Sequence, residues 1–243
     1  ILYPPMQAVI RAVQSAVPSK RMSNEEFTAF LDTSDEWIHS HTGIRNRHIA
    51  DPDQATSDLA VEAASKALEK AALPPDEVDL VLVATATADY VGFPSTACLV
   101  QDRIGASRAG AMDLAAGCTG FIYGLETARA FVASGSARNV LVVGAEILSR
   151  IVDWQDRHTC VLFGDGAGAA VVGASEDPRD AAGRPRGLIG SLLRSDGGGG
   201  SLLMRPMGGT RTPFKAWEYD HTGTCIRMDG RQVYNFAVKA VAE

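Results

Sequence analysis

Residues 56–84 read Thr56-Ser-Asp-Leu-Ala-Val-Glu-Ala-Ala-Ser-Lys-Ala-Leu-Glu-Lys-Ala-Ala-Leu-Pro-Pro-Asp-Glu-Val-Asp-Leu80-Val-Leu-Val-Ala84, and their pattern decides the fold class. Leu59, Ala60, Ala63, Ala64, Ala67, Leu68 and Ala71 recur at steps of three and four, with Glu62, Lys66, Glu69 and Lys70 between them. That spacing lays one apolar face along an α-helix. Thr56 or Ser57 can cap its start, and Pro74-Pro75 forbids its continuation. The run from Leu80 to Ala84 is apolar at every position, as in a strand covered on both faces.

The alternation continues downstream. Residues 94–104 read as a helix, 109–114 as a strand, 119–134 as a helix stopped by Gly135, and 140–143 as a second buried strand. Helices interleaved with buried strands imply an α/β protein with a parallel or mixed sheet. Residues 159–163 and 169–173 read as adjacent strands joined by a tight turn through Gly164-Asp-Gly-Ala-Gly168. Residues 175–187, rich in Asp, Pro, Arg and Gly, mark a boundary, and 187–193 a further strand. Asp229 can cap a final helix with Gln232 reaching back. Its stripe of Val233, Phe236, Ala237, Ala240 and Val241 needs something to pack on, and the pattern alone leaves open whether that is this chain's own core.

Composition excludes several classes. The 243 residues are enough to bury a core without disulfide or metal staples. A net charge of −6 argues against nucleic acid or an anionic membrane as the main partner. No run reaches the 18 or so apolar residues of a membrane helix. The first residues lack the basic start of a signal peptide, Met6 reads as the natural start, and cytoplasm is the expected compartment. Four cysteines without a C-x-x-C pair read as reduced thiols, and no His pair at helical spacing supports a metal.

Cys118 is the foremost candidate for chemistry. In Ala109-Gly-Ala-Met-Asp-Leu-Ala-Ala-Gly-Cys118-Thr-Gly-Phe-Ile-Tyr-Gly124 a strand runs through small residues into a cysteine and then a helix. This is the cysteine form of a nucleophile elbow, in which small neighbours allow the sharp turn that presents the side chain. Backbone N–H groups at a helix N-terminus favour negative charge, and so the thiolate. Cys98, Cys160 and Cys225 lack such a turn and read as small core residues. The match of 164–169 to G-x-G-x-x-A lacks the following helix of a dinucleotide site and is rejected. Trp37, with His39, His41, Arg45, Arg47 and His48, reads either as a base-stacking platform with cations for phosphates or as a half-buried Trp in a helix-to-loop segment, the second being favoured.

Five segments occur in one order: Asp32-Thr-Ser-Asp-Glu-Trp-Ile38, Thr42-Gly-Ile-Arg45, Gly117-Cys-Thr-Gly120, Phe163-Gly-Asp-Gly-Ala-Gly-Ala169 and Met228-Asp-Gly-Arg-Gln-Val-Tyr234. Together they resemble the β-ketoacyl-acyl-carrier-protein synthase III family of thiolase-like condensing enzymes. The resemblance implies an α/β thiolase-like fold of αβαβα layers with two similar halves. Residues 1–174 would form the first half, carrying the nucleophile, and 175–243 a linker and the beginning of an incomplete second half.

It also implies fatty-acid initiation by decarboxylative condensation of a short acyl-CoA, typically acetyl-CoA, with malonyl-acyl-carrier protein through an acyl-cysteine at Cys118. A homodimer is implied, with no cofactor beyond the CoA substrate. Trp37 and Arg157 would sandwich the CoA adenine, with Thr33 and Gly230 as further CoA contacts. Phe93, Leu148, Phe163 and Met228 would line the acyl pocket. Two departures stand out: His41 replaces a common Arg, and the family's His and Asn segments lie downstream of the last match. The chain is therefore expected to be a fragment that can acylate Cys118 but not decarboxylate malonyl thioesters. Competing readings are a condensing enzyme of long-chain or secondary metabolism, a non-catalytic acyl-CoA-binding partner and a cysteine hydrolase.

Overall fold

A computed structural model describes residues 7–175, 179, 182–184, 186–215 and 220–242. Met6, Glu243 and much of the expected 175–187 boundary lie outside the described residues. In chain order the principal elements are β1 (Gln7–Ala16), β2 (Arg21–Ser23), α1 (Asn24–Phe27), α2 (Asp35–Thr42), β3 (Asn46–His48), α3 (Thr56–Ala71) and β4 (Leu80–Ala84). There follow α4 (Thr96–Arg103), β5 (Gly110–Leu114), α5 (Gly120–Ala133), β6 (Asn139–Ile147), β7 (Asp165–Ser175), β8 (Leu203–Met204), β9 (Arg227–Met228) and α6 (Gly230–Ala242). They fall into two compact units interleaved along the chain.

The first unit takes its described residues from Ile1–Ser19, Ala50–Ile147 and Asp165–Leu193. Its mixed five-stranded sheet has the order β1-β7-β6-β4-β5. β4 runs parallel to β5 and β6, while β7 is antiparallel to both β6 and β1. The all-apolar β4 is buried at every position, as its sequence requires. Val81 and Val83 face a cluster with Leu59, Ala63, Ala67 and Leu68 of α3 and Ala97 and Val100 of α4. Leu80 and Leu82 face the opposite cluster with Ala128 and Val132 of α5. Period-2 alternation thus sends one strand into two apolar layers.

Several expectations need correction. Helix α3 is preceded by Ala55, and the Asp58 carboxylate accepts the Ala55 N–H at 2.6 Å, so the cap comes from inside the first turn rather than from Thr56 or Ser57. Those two hydroxyls are used elsewhere, on Thr87 O and the Asp89 carboxylate. The glycine-rich 164–168 run is no turn: Asp165 onward is β7, paired on both sides. Residues 159–163 are turns, not a strand, because Cys160 and Leu162 N–H groups close back onto Asp156 and Thr159 carbonyls. Residues 187–193 form no strand either; Leu188 N–H reaches Ala8 O, but Ile189 and Leu192 stay exposed.

The second unit takes its described residues from Lys20–Ile49, Leu148–Gly164 and Arg194–Glu243. Its core joins Phe27, Ile38, Val152, Cys160 and Val161, with Trp37, Trp154 and Phe163 packed against them. Two small antiparallel ribbons, β2–β3 and β8–β9, belong to it. Helix α6 forms with Asp229 as its cap, accepting from Gln232 N at 3.0 Å, but the Gln232 side chain reaches back to the Asp229 carboxylate (Nε2, 2.6 Å) and not to the Asp229 N–H, which donates to Leu202 O. Its stripe is not docked among the described residues: Phe236 is 50% and Val241 89% exposed.

Candidate active site

In the first unit, β5 ends at Leu114 and Ala115-Ala116 lead into a single 3-10 turn, Gly117–Thr119, from which α5 continues. Gly117 takes φ +53°, a left-handed conformation that a side chain disfavours. Thr119 closes the turn, its N–H at 3.3 Å and its Oγ1 at 3.0 Å from Ala116 O. Cys118 sits in the middle of that turn and is exposed. The strand–turn–helix context that an elbow needs is therefore present.

Two further glycines set how closely α5 approaches the sheet. A Cβ on Gly120 would stand 2.9 Å from Ala84 Cβ, and one on Gly124 would stand 2.7 Å from Val142 Cγ1. Only hydrogen fits at either place, so α5 lies tight on β4 and β6. The Cys118 turn, two residues before Gly120, is fixed at the carboxyl end of the parallel strands, where open α/β sheets bind their ligands.

The second unit gathers a separate cluster. Ser34 Oγ accepts the Trp37 N–H at 3.0 Å and starts α2. The Arg157 guanidinium carbon lies 4.9 Å from the Trp37 ring centroid, and Arg157 Nη1 donates to Asp32 O at 2.7 Å. His41, one turn along α2, stacks on Trp37 with centroids 4.5 Å apart and bonds Trp37 O through Nδ1 at 2.7 Å. Thr33 Oγ1 is buried and has no hydrogen-bond partner among the described residues.

Thr33, Trp37 and Arg157 are thus brought together. Gly230 opens α6, where an added Cβ would meet Met228 Cε at 3.7 Å. Of the candidate acyl-pocket residues, Phe163 packs on the Phe27–Ile38 core, Leu148 begins a 3-10 turn and Met228 lies on β9, all in the second unit. Phe93 stands 88% exposed in the first unit.

Arg47 is not a phosphate cation of the Trp37 stretch. It is 4% exposed, its Nε (2.8 Å) and Nη2 donate to Val161 O, and its Nη1 reaches Asn24 Oδ1 at 2.6 Å. Burial lowers its pKa from the ordinary value, and Phe27 stacks beneath it. Cys98, expected in the core, is exposed on α4, whereas Cys160 and Cys225 are buried as expected. Burial, with Asp156 and Asp153 nearby, pushes the Cys160 thiol up to about 11, against the pull of Arg47. Glu146, which β6 carries at its carboxyl end, is not among the residues the sequence singles out. Its only signal was a carboxylate closing the apolar run Val140-Leu-Val-Val-Gly-Ala145. Among the described residues no group of three or more His, Cys, Asp or Glu is placed to hold a metal ion, and no helix is long and apolar enough to cross a membrane.

A family model described as 3-oxoacyl-[acyl-carrier-protein (ACP)] synthase III matches residues 112–197, a window that includes the Cys118 elbow. The β-ketoacyl-[acyl-carrier-protein] synthase III of Caldanaerobacter subterraneus subsp. tengcongensis is 51% identical over 234 residues, covering 96% of this chain and 68% of that protein. The chain belongs to the β-ketoacyl-acyl-carrier-protein synthase III family.

As a synthase III family member it is an acyltransferase chain of fatty-acid biosynthesis, with the thiolase-like α/β fold. The crystal structure of 3-oxoacyl-[acyl-carrier-protein] synthase III from Aquifex aeolicus VF5 superposes with a TM-score of 0.80 at 41% identity, covering 94% of this chain and 67% of that one. The priming β-ketosynthase of the R1128 polyketide biosynthetic pathway superposes with a TM-score of 0.85 at 36% identity, covering 99% and 69%.

Proposed function

We propose that Cys118 accepts the acyl group of a short acyl-CoA, acetyl-CoA above all, as the first half of the synthase III reaction. The thiolate attacks the thioester carbonyl, the tetrahedral oxyanion collapses, and CoA leaves as its thiolate while an acyl-cysteine remains. The Cys118 backbone N–H, at the head of α5, is the oxyanion donor this reading assigns. In the second half of the family reaction, which these 243 residues alone are expected not to perform, malonyl-acyl-carrier protein loses CO₂ and its carbanion attacks the acyl-cysteine, giving 3-oxoacyl-carrier protein and regenerating the thiol. The observation that carries the reading is the exposed cysteine in a strand–turn–helix elbow held against β4 by Gly120.

Trp37 and Arg157 are the adenine partners in this proposal, supported by their mutual contact, and the Thr33 hydroxyl and Gly230 are further CoA contacts. Arg157 now rests on the Trp37 ring at 4.9 Å, so an adenine between them requires the guanidinium to lift away. Phe93, Leu148, Phe163 and Met228 are proposed to line the acyl site. The same reading takes residues 1–174 as the first of two similar halves and 175–243 as the linker and start of the second. It also takes a cytoplasmic homodimer as the working assembly and no cofactor beyond the CoA substrate.

The likeness to a priming β-ketosynthase of polyketide synthesis favours one second reading, a different starter acyl group. Acyl transfer to the protein from acetyl-CoA and from a medium-chain acyl-CoA, compared at equal concentration, separates the two. The proposal expects faster retention of acetyl; faster retention of the longer acyl group contradicts it.

A further inference from the structure

A half-buried carboxyl group outside the proposed chemistry closes a network at the end of β6. Glu146, at the carboxyl end of β6, accepts the Ala86 N–H through Oε1 at 2.7 Å. Its Oε2 accepts the Thr87 hydroxyl at 2.5 Å and the Thr85 hydroxyl at 3.4 Å. Thr87 Oγ1 accepts in turn from Ile147 N at 2.9 Å, and Thr85 Oγ1 accepts from Thr87 N at 3.0 Å. Thr56 Oγ1, in the first turn of α3, donates to Thr87 O at 2.5 Å. One side chain thereby ties the chain leaving β4 to the end of β6, and α3 holds it from the other side.

An acceptor-only group is what these donors demand. An ionised carboxylate offers both oxygens to N–H and O–H donors, whereas an amide would turn one of them into an NH₂ facing another donor. Burial pushes the Glu146 carboxyl above the ordinary carboxylate range, while the hydrogen bonds from Thr87, Ala86 and Thr85 pull it down. A carboxyl drawn part-way out of water is costly to keep charged, and three residues converge to hold this one.

The tied segment continues from the strand end against which the first turn of α5 packs. It begins at Ala84, the residue whose Cβ fills the space a side chain on Gly120 would need, and Ala84 pairs with Leu114 of β5 and Gly144 of β6. We infer that Glu146 is a positioning residue for acyl transfer: through Thr85, Ala86 and Thr87 it fixes the wall of backbone against which the first turn of α5 holds Cys118. The inference rests on the proposal that Cys118 is the acyl acceptor. It assigns no proton transfer and no substrate contact to Glu146.

The test uses the full chain and its Glu146→Gln, Thr87→Val and Thr87→Ser variants. Acetyl transfer from acetyl-CoA to Cys118 is followed by mass over a range of acetyl-CoA concentrations. Alkylation of Cys118 by iodoacetamide and the melting temperature are measured on the same samples. Glu146→Gln and Thr87→Val are expected to lower the saturating rate of acetyl transfer tenfold or more, with half-saturation unchanged and alkylation within twofold. Thr87→Ser, which keeps the hydroxyl, is expected to restore the rate. Unchanged acetyl transfer overturns the inference, as does a fall of transfer and alkylation in step with a lowered melting temperature, which is the mark of general damage. If the parent chain is alkylated at Cys118 but never acetylated, the functional proposal fails and amide exchange decides the inference. Glu146→Gln must then speed exchange in residues 115–121 as well as 84–89, and acceleration confined to 84–89 overturns it.

Discussion

Four thiols in one chain differ in what surrounds them. Cys98 and Cys118 are exposed, while Cys160 and Cys225 are buried, with burial raising the pKa of both. Iodoacetamide at neutral pH is expected to label Cys98 and Cys118 in the folded chain and to reach the other two only in denaturant. Peptide mass mapping reads this directly, and rapid native labelling of Cys160 would contradict the packing around it. Cys160 also makes stability depend on alkaline pH. Its thiol is held up at about 11 against an ordinary 9.0. The folded chain therefore keeps a proton that the unfolded chain releases. The contribution is fully present below about 9 and is lost as pH rises through about 11. Melting temperatures should fall across that interval more steeply for the parent than for Cys160→Ser. At the Trp37 cluster, Arg157→Ala should raise half-saturation by acetyl-CoA about tenfold, the equivalent of ~1.4 kcal/mol, with little change in saturating rate.

Elements show where local pattern decides structure and where tertiary partners override it. Helix α3 and strands β4 and β6 were legible because their apolar periods are unbroken. Strand β1 was not, because its pairing with β7 shifts between Ile10 and Ala12, and a bulge disrupts the period-2 alternation that would announce a strand. Its buried Ala8, Ala12 and Ala16 fall at steps of four, a helical spacing. The apolar 159–163 run misled for a different reason. Arg47, distant in sequence, takes the Val161 carbonyl, so the segment buries its side chains without a strand partner. Helix α5 offers a test in which two effects oppose. Gly124→Ala gains about 1 kcal/mol of helix propensity but drives a methyl group into Val142, an overpacking cost of about 1–3 kcal/mol. Urea unfolding should show net destabilisation. Ala72→Gly should do the reverse. Ala72 ends α3 at φ +50°, where glycine carries no Cβ penalty, so a gain of about 0.5–1 kcal/mol is expected.

Over the whole molecule, legibility tracks sequence distance. The Cys118 elbow is a local object, written in sixteen consecutive residues, and its strand, turn and helix appear where the sequence places them. The contact of Trp37 with Arg157 spans 120 positions, so no local pattern could announce it; only the resemblance suggested it. Glu146 was invisible for a related reason, since its partners Thr85, Ala86 and Thr87 are brought to it by the β4–β6 pairing. The stripe of α6 was legible as a helix, whereas its packing was left open by the pattern, and Phe236 and Val241 stand exposed.

The central claim is that Cys118 is the acyl acceptor, and one measurement addresses it most directly. The chain and its Cys118→Ser variant are incubated with acetyl-CoA, and the mass of each intact protein and of the peptide containing residue 118 is followed with time. The account predicts one acetyl group on the parent, located at Cys118 and removed by hydroxylamine, and none on the variant. Equal acetylation of both proteins, or acetyl found on Cys98 instead, would contradict it.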